Sequence, residues 1–404
     1  GENAQLTLGG SFFATTADSL EFGNGSQFSA TLPENVPLLS MSTPTGLQYG
    51  SNPGDLVNRS RSQLPDIPQN SIGTPPGLAV RPGRNLVLAG GNLHLEGGNL
   101  AAFGGRIELG SVTDSGTVRL IPNPDGWQLN YDNIDRFGTI RVSNETVVDV
   151  SGIPPATPNQ PGGNVQIRGD RVAILNSGVT GTNFAPLPGG DIEVTASAIE
   201  SSGVLNTGQP PTGIPQMPPG MPGEMPNNIQ RPAGIFTQTM GSGSAGNITL
   251  NTGQLSLSDS AQASTSTFNA GAAGNLTVNS TGSIDLSGTS SGLATTAEPR
   301  SSGDGGNLNI TTARLHVRDG AQIAASTAGA GQGGNVQISA SESVRVTSGS
   351  FAVLPPSPQM PNSPPMARFI PSAILNQVQP GATGDGATLA IETPLLNVSD
   401  RAQV

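Results

Sequence analysis

One short pattern recurs along most of the chain, and its spacing constrains the fold more than any other feature. A glycine precedes asparagine or aspartate, and an aliphatic–polar–aliphatic run follows. Successive Asn/Asp positions are separated by 27, 56, 28, 32 and 28 residues, so the unit is about 28 residues long and the second interval holds two. Periods of this size are typical of solenoids and arrays. The repeat positions are Asn164, Asp191, Asn247, Asn275, Asn307 and Asn335.

Within each unit the apolar residues alternate with polar ones. In the unit at 246–273, Ile248 and Leu250 form one alternating run, and Leu255 and Leu257 form the next. Alternation between turn-forming residues predicts short, half-buried strands. We therefore predict an all-β fold, a right-handed parallel β-helix with three short strands in each coil of about 28 residues.

The six repeat positions are predicted to be structural corners. Glycine and asparagine adopt left-handed backbone at little cost, and asparagines in stacked coils can align into ladders. A shorter echo begins at Asn85, Asn92 and Asn99, every seven residues, and each copy ends in Gly-Gly. Each helical glycine would cost about 1 kcal/mol, so we interpret each copy as one strand plus one corner rather than as a coiled-coil heptad.

Two proline-rich stretches interrupt the period. Segments 209–232 and 355–380 hold eight prolines each, and removing ~25 residues from either interval restores one coil. Proline supplies no ladder donor, so we predict that the β-helix stays in phase and extrudes both as loops. Their apolar side chains could bind a partner or pack back on the β-helix, and the residues concerned are Met217, Met221, Met225, Met360, Met366 and Phe369.

Composition excludes several classes of function. The 404 residues include no cysteine, no lysine and two histidines, so thiol catalysis, disulfides, cysteine-ligated metals and lysine Schiff bases are excluded. A net charge of −11 argues against a nucleic-acid partner. No run of ~18 apolar residues is present, so we expect no membrane insertion.

Candidate chemistry is sparse. His94 and His316 lie at outward strand positions, without an orienting carboxylate in the local pattern. Glu96 and Glu108 are expected to be solvated surface charges. The tripeptide at 168–170 (Arg-Gly-Asp) and the Gly-Asp-Gly-Gly run at 303–306 are isolated motifs. We therefore predict no catalytic, cofactor-binding or metal site.

Two N-terminal segments carry a specific resemblance. Residues 1–22 read GENAQLTLGGSFFATTADSLEF, and residues 82–111 read PGRNLVLAGGNLHLEGGNLAAFGGRIELGS. The first resembles the end of the haemagglutination-activity domain of two-partner-secretion exoproteins of the filamentous haemagglutinin family. The second, and the Gly-Asn-Ile-Thr-Leu repeats, resemble the cyanobacterial branch of that family. The family's secretion motif, Asn-Pro-Asn-Gly, is expected before residue 1, since neither Asn52 nor Asn123 has the matching context.

The resemblance implies a right-handed β-helix exported through an outer-membrane transporter partner. It divides the chain into the C-terminal end of the secretion domain at 1–30, a proline-rich flank at 31–83 and β-helix passenger repeats at 84–404. The absence of cysteine agrees with threading an unfolded chain through a pore. The last residues repeat the pattern of 255–263, so we expect the chain to stop within a coil.

We therefore expect a secreted, non-enzymatic, adhesin-like structural passenger, extracellular and associated with the cell surface. Its expected partners are the transporter and a cell-surface glycan or protein receptor, and no cofactor is expected. Two alternatives remain open. One is a polysaccharide-active β-helix enzyme that uses paired carboxylates. The other is a stalk that carries an effector or toxin beyond residue 404.

Overall fold

The computed structural model describes residues 1–5, 8–30, 43–123, 126–153, 160–207, 229–354 and 366–404. Over these residues the regular structure is entirely β, in two long parallel sheets, a five-stranded antiparallel side sheet and two hairpins. Among them we find no helix long and apolar enough to cross a membrane. The all-β prediction is confirmed.

The first long sheet has 15 strands and runs the length of the molecule. Its strands are Phe12–Thr15, Leu56–Asn58, Asn85–Gly90, Leu93–Glu96, Arg106–Ser111, Thr139–Ser143, Asn164–Arg168, Arg171–Leu175, Ile192–Ser202, Ile248–Ser258, Leu276–Ser287, Leu308–Arg318, Val336–Thr347, Leu389–Glu392 and Leu396–Val398.

The second long sheet has nine strands. They are Leu78–Ala79, Leu100–Ala101, Val147–Asp149, Gly178–Asn183, Gly234–Thr239, Gln262–Thr267, Gly292–Ala297, Gln322–Thr327 and Ala373–Val378. The chain passes through the first sheet and then the second in each turn, and the main path of the first sheet crosses ten strands. The described residues therefore form a parallel β-helix of ten coils, as predicted. Its handedness stays a prediction.

The register explains why alternation in the sequence makes one continuous core. Ile248 pairs with Leu276, and Leu276 pairs with Leu308, so equivalent aliphatic residues stack in parallel from coil to coil. All three are fully buried in one hydrophobic cluster that extends from Val80 to Ile374. Burying apolar area contributes about 25 cal/mol per Å², so this stack supplies most of the driving force for folding.

The first two strands of a coil differ from the prediction of separate short strands. From Ile192–Ser202 to Val336–Thr347 they merge into single strands of 11 or 12 residues, and in the last coil they are separate again. At the expected break, the hydroxyl of Thr252 donates to the carbonyl oxygen of Gln254 at 2.8 Å, and the ladder shifts register only between these two residues. A local bulge thus replaces the corner, because pairing to the neighbouring coils continues on both sides.

The side sheet lies outside the β-helix near its N-terminal end. Its antiparallel strands are Ser19–Phe22, Gln27–Ser29, Pro44–Tyr49, Gly116–Asn123 and Gly126–Asn130. A second hydrophobic cluster joins Leu47, Val118 and Leu129 to Val87 and Ala89, on the outward side of the strand at 85–90. The chain reaches this sheet by leaving the β-helix after Phe12–Thr15 and again after Arg106–Ser111.

Both proline-rich insertions begin and end in an antiparallel hairpin. Val204–Thr207 pairs with Ile229–Pro232, and Gly349–Leu354 pairs with Met366–Pro371. Residues 208–228 and 355–365 lie outside the described residues. Each hairpin precedes the strand of the second sheet, so the insertions leave that strand intact.

The predicted loop boundaries also need correction. Within 355–380, Ala373–Val378 is a strand of the second sheet, paired with 322–327. Within 209–232, Ile229–Pro232 is a hairpin arm. We placed the loop ends by the positions of the prolines, and this made both predicted loops too long. Proline can also end a hairpin arm, because its nitrogen carries no hydrogen and needs no ladder partner.

Candidate functional site

The six predicted corner positions form one ladder along the first sheet. The side-chain oxygen Oδ1 of Asn247 accepts a hydrogen bond from the backbone N–H of Asn275 at 2.9 Å, and Asn275 accepts from Asn307 in the same way. Bonds of 2.8–3.0 Å link the other members, from Asn164 through Asp191 to Asn247, and from Asn307 through Asn335 to Thr388. These side chains satisfy backbone donors of the next coil, so their role is structural.

The physical reason why asparagine or aspartate occupies these six positions differs from the one we expected. The six ladder residues do not have positive φ; left-handed backbone occurs instead at the corner before the second sheet, for example at Asp259 (52°) and Ser260 (76°). The glycine before each ladder position is needed for close approach. A Cβ on Gly274 would lie 1.9 Å from the carbonyl oxygen of Gly246 in the preceding coil.

The side sheet covers a polar cluster on the outward face of the β-helix. Glu108 lies there with no exposed surface, in register with Val87 on the side of the strand that the side sheet covers. Arg106 forms an ion pair with Glu108 and donates to Oε1 of Gln166 at 2.7 Å. Our expectation that Glu108 is a solvated surface charge was wrong, because the side sheet packs over it.

Burial dominates the electrostatics of this cluster. Desolvation raises the pKa of Glu108 to about 7, against the opposing effects of Arg106 and of the backbone N–H of Leu129. Oε2 of Glu108 and the hydroxyl of Tyr131 are buried without a hydrogen-bond partner in the described structure. The Tyr131 hydroxyl lies so close to Gly110 that a Cβ there would be 1.8 Å away. This carboxyl group cannot reach a polymeric substrate, since the side sheet separates it from solvent.

His316 has neighbours that sequence reasoning missed. Its Nδ1 is 3.6 Å from Oδ2 of Asp285, and its Nε2 is 3.0 Å from the hydroxyl of Thr347. The carboxylate comes from the preceding coil, where Asp285 pairs with His316 in register. Arg318 donates to the same carboxylate at 3.1 Å, and the Asp285 and His316 side chains are 40% and 36% exposed. The arrangement resembles a triad in composition, but it lies on an open strand face.

The other candidate residues are held by neighbouring coils. His94 lies 3.8 Å from Asp55, and Glu96 accepts a bond of 2.6 Å from Arg59. Arg59 holds the pKa of the Glu96 carboxyl below its usual range. Glu96 and Glu108 therefore do not converge on a shared site, since one is paired with Arg59 and the other is covered.

The two short motifs also have structural contacts. In the Arg-Gly-Asp tripeptide, the guanidinium of Arg168 lies 4.4 Å from the ring centroid of Phe137. In the Gly-Asp-Gly-Gly run, Oδ1 of Asp304 accepts from the backbone N–H of Gln332 at 2.8 Å. The described residues contain no group of three or more His, Asp or Glu side chains that could hold a metal ion.

The predicted partner-binding loops are described only in part. Met217, Met221, Met225 and Met360 lie outside the described residues. Met366 begins a hairpin arm. Phe369 packs edge-to-face on Phe351 at 5.4 Å, and Phe351 is 66% exposed. Binding by these loops stays a prediction.

The fold and the covered cluster define a class of protein, a parallel β-helix that carries an antiparallel side sheet on its N-terminal coils. Residues 1–167, which contain that sheet, match the family model of the TPS secretion domain. A TPS secretion domain at residues 1–167 is consistent with a two-partner-secretion exoprotein of the filamentous haemagglutinin type. Comparison with curated proteins and with solved structures gives no significant match.

The TPS secretion domain implies export across the outer membrane through a TpsB partner. The match extends beyond residue 30 and includes the flank and the first coils. The division at residues 30 and 83 stays a prediction.

Proposed function

We propose that the chain is a non-enzymatic, adhesin-like structural passenger that is displayed at, or released from, the cell surface after export. The proposal rests on the TPS secretion domain joined to an unbroken series of ten stacked coils. A stack in which each coil contacts only its neighbours can fold progressively as it emerges from a pore. The product is a long surface suited to display.

The outward positions of the repeats support a binding or spacing role. In the strand Gln262–Thr267 the outward residues are Gln262, Ser264 and Ser266, and in Leu276–Ser287 they include Thr277 and Asn279. Neutral hydroxyl and amide side chains offer hydrogen bonds without strong charge. The carboxylates Glu96 and Glu108, the ones a polysaccharide-active enzyme would use, are paired or covered. We therefore favour adhesion over catalysis.

The export part of the proposal is tested by expression of the full gene product with and without its TpsB partner. We expect accumulation outside the cell only when the partner is present. Equal extracellular amounts in both strains would contradict export by this route.

The adhesive part is tested with the purified chain on cells and on glycan arrays. We expect saturable binding that excess unlabelled chain competes away. Absence of saturable binding to every surface tested would contradict adhesion by residues 1–404 and favour the stalk. Hydrolysis or lyase activity on a polysaccharide panel would contradict the non-enzymatic assignment.

A further inference from the structure

A groove lies on the outward face of the second sheet, beside the hairpin of Val204–Thr207 and Ile229–Pro232. It encloses about 250 Å³ and is lined by residues of four consecutive strands of the second sheet, by Ile72 and by that hairpin. Phe236 and Ser264 are paired in register at its floor, and Gln238 and Ser266 follow two residues further along the same strands. Phe268, with 39% of its surface exposed, stands at the edge.

Among the described residues that line this groove, Arg231 is the one that is ionisable. In the described part of the chain its half-buried guanidinium forms no ion pair and no hydrogen bond. Burial alone lowers the pKa of Arg231, so no neighbouring charge offsets its desolvation. An unpaired, partly desolvated cation is costly, and a carboxylate is the partner that a planar guanidinium binds best.

The other residues that line the groove limit which kind of molecule can carry the carboxylate that pairs with Arg231. Phe236 and Phe268 present apolar ring surface. Gln238 and Gln262 each donate to a neighbouring group, at 2.8 and 2.7 Å, which fixes their amides, and the amide oxygens accept no hydrogen bond from the described residues. A ligand that fills this groove thus needs a carboxylate, hydroxyl donors and an apolar face. Inorganic phosphate lacks the apolar face, and a fatty acid lacks the hydroxyls.

We propose that this groove binds a single carboxylated sugar unit of an acidic glycan. The carboxylate pairs with Arg231, the C–H face of the ring packs against the phenylalanines, and the ring hydroxyls donate to the glutamine amides. The volume is below the ~300–1,000 Å³ of pockets that enclose drug-sized ligands, which fits one sugar ring. The inference extends the proposed adhesive function by naming a ligand class.

The net charge of −11 weakens the expected binding of an acidic glycan to this groove. The whole protein repels polyanions at long range, so binding depends on the local pair and is weak, with Kd on the order of 1 mM. A ligand-observed NMR titration of the full chain measures affinities in this range. The probes are methyl glucuronide, methyl glucoside, acetate and a short glutamate peptide.

Methyl glucuronide is expected to bind at least about tenfold more tightly than methyl glucoside, because the neutral sugar leaves the guanidinium unpaired. Arg231→Gln should abolish this difference, and Phe268→Ala should weaken binding of both sugars without affecting the fold. The matched control is Arg345→Gln, which changes an exposed outward arginine of the first sheet and should leave the titration unchanged.

Equal affinity for the two sugars, or an unchanged titration in Arg231→Gln, would overturn the proposal. Acetate or the glutamate peptide binding as tightly as methyl glucuronide would also overturn it, since the site would then recognise an anion or an acidic peptide. The probes are free sugars, so a negative titration would overturn the proposed sugar site without affecting the result of the cell-binding experiment. The sugar site and the adhesive function are therefore tested separately.

Discussion

Replacing Glu108 by glutamine tests the electrostatics of the covered cluster. Glu108 has no exposed surface, Arg106 is its ion-pair partner, and the side sheet packs over both. Other charged or titratable groups that act on the cluster are Glu193 and Tyr131. The substitution keeps the size of the side chain and removes its proton equilibrium.

The magnitude follows from the pKa of Glu108, which burial raises from 4.5 to about 7. Between these values the folded state binds the proton and the unfolded state does not. Stability from this group is therefore complete below pH 4.5 and is lost as the pH rises through 7. At 1.36 kcal/mol for each pH unit, the loss amounts to about 3 kcal/mol in the free energy of unfolding.

Trp127 provides the assay, because it is the single tryptophan of the chain and packs in the side-sheet cluster. Urea unfolding followed by its fluorescence at pH 4 to 8.5 reports local stability. The difference between wild type and Glu108→Gln should change by about 3 kcal/mol across this range. The glutamine amide does not titrate, so its own hydrogen bonding adds an offset that does not depend on pH.

Glu342→Gln, at an exposed ion pair with Arg314, is the control and should leave the profile unchanged. Parallel profiles for wild type and Glu108→Gln would refute the reasoning.

Further predictions concern the stack itself. Leu286→Ala, at a fully buried core position, should lower the free energy of unfolding by ~2–5 kcal/mol in chemical denaturation, whereas Leu187→Ala, at a half-exposed position, should change it little. Gly274→Ala should destabilise the β-helix more than a usual core substitution, because the new Cβ would lie 1.9 Å from the backbone oxygen of Gly246. Gly10→Ala, with nothing within 4 Å of the new Cβ, is its control, and equal thermal midpoints for the two variants would contradict the close-approach argument.

The coil architecture was predictable because it is local and repeated. Each coil contacts mainly its neighbours, so a period of about 28 residues and an alternation of two suffice to place Ile248, Leu276 and Leu308 in one buried stack. The ladder through Asn247 and Asn275 was also foreseeable, although its cause is a hydrogen bond to the next coil rather than left-handed backbone.

The site residues were less predictable, because their neighbours come from distant parts of the chain. Glu108 was expected to be solvated, because nothing in the local pattern indicates that residues 44–49 and 116–130 pack over that side of its strand. The carboxylate beside His316 comes from Asp285, one coil earlier. Alignment of the repeats in register could have found that pair, since both residues occupy the same position in successive coils.

The sequence by itself determined the repeat, the strand alternation, the aliphatic core and the family that the N-terminal segments resemble. The tertiary structure decided where the chain leaves the β-helix and what those excursions cover. It brought the side sheet over Glu108 and placed Arg231 in one groove with Phe236 and Phe268. The division has a physical reason. Stacking energy repeats with the sequence period, whereas burial of a particular charge depends on contacts between segments far apart in the chain.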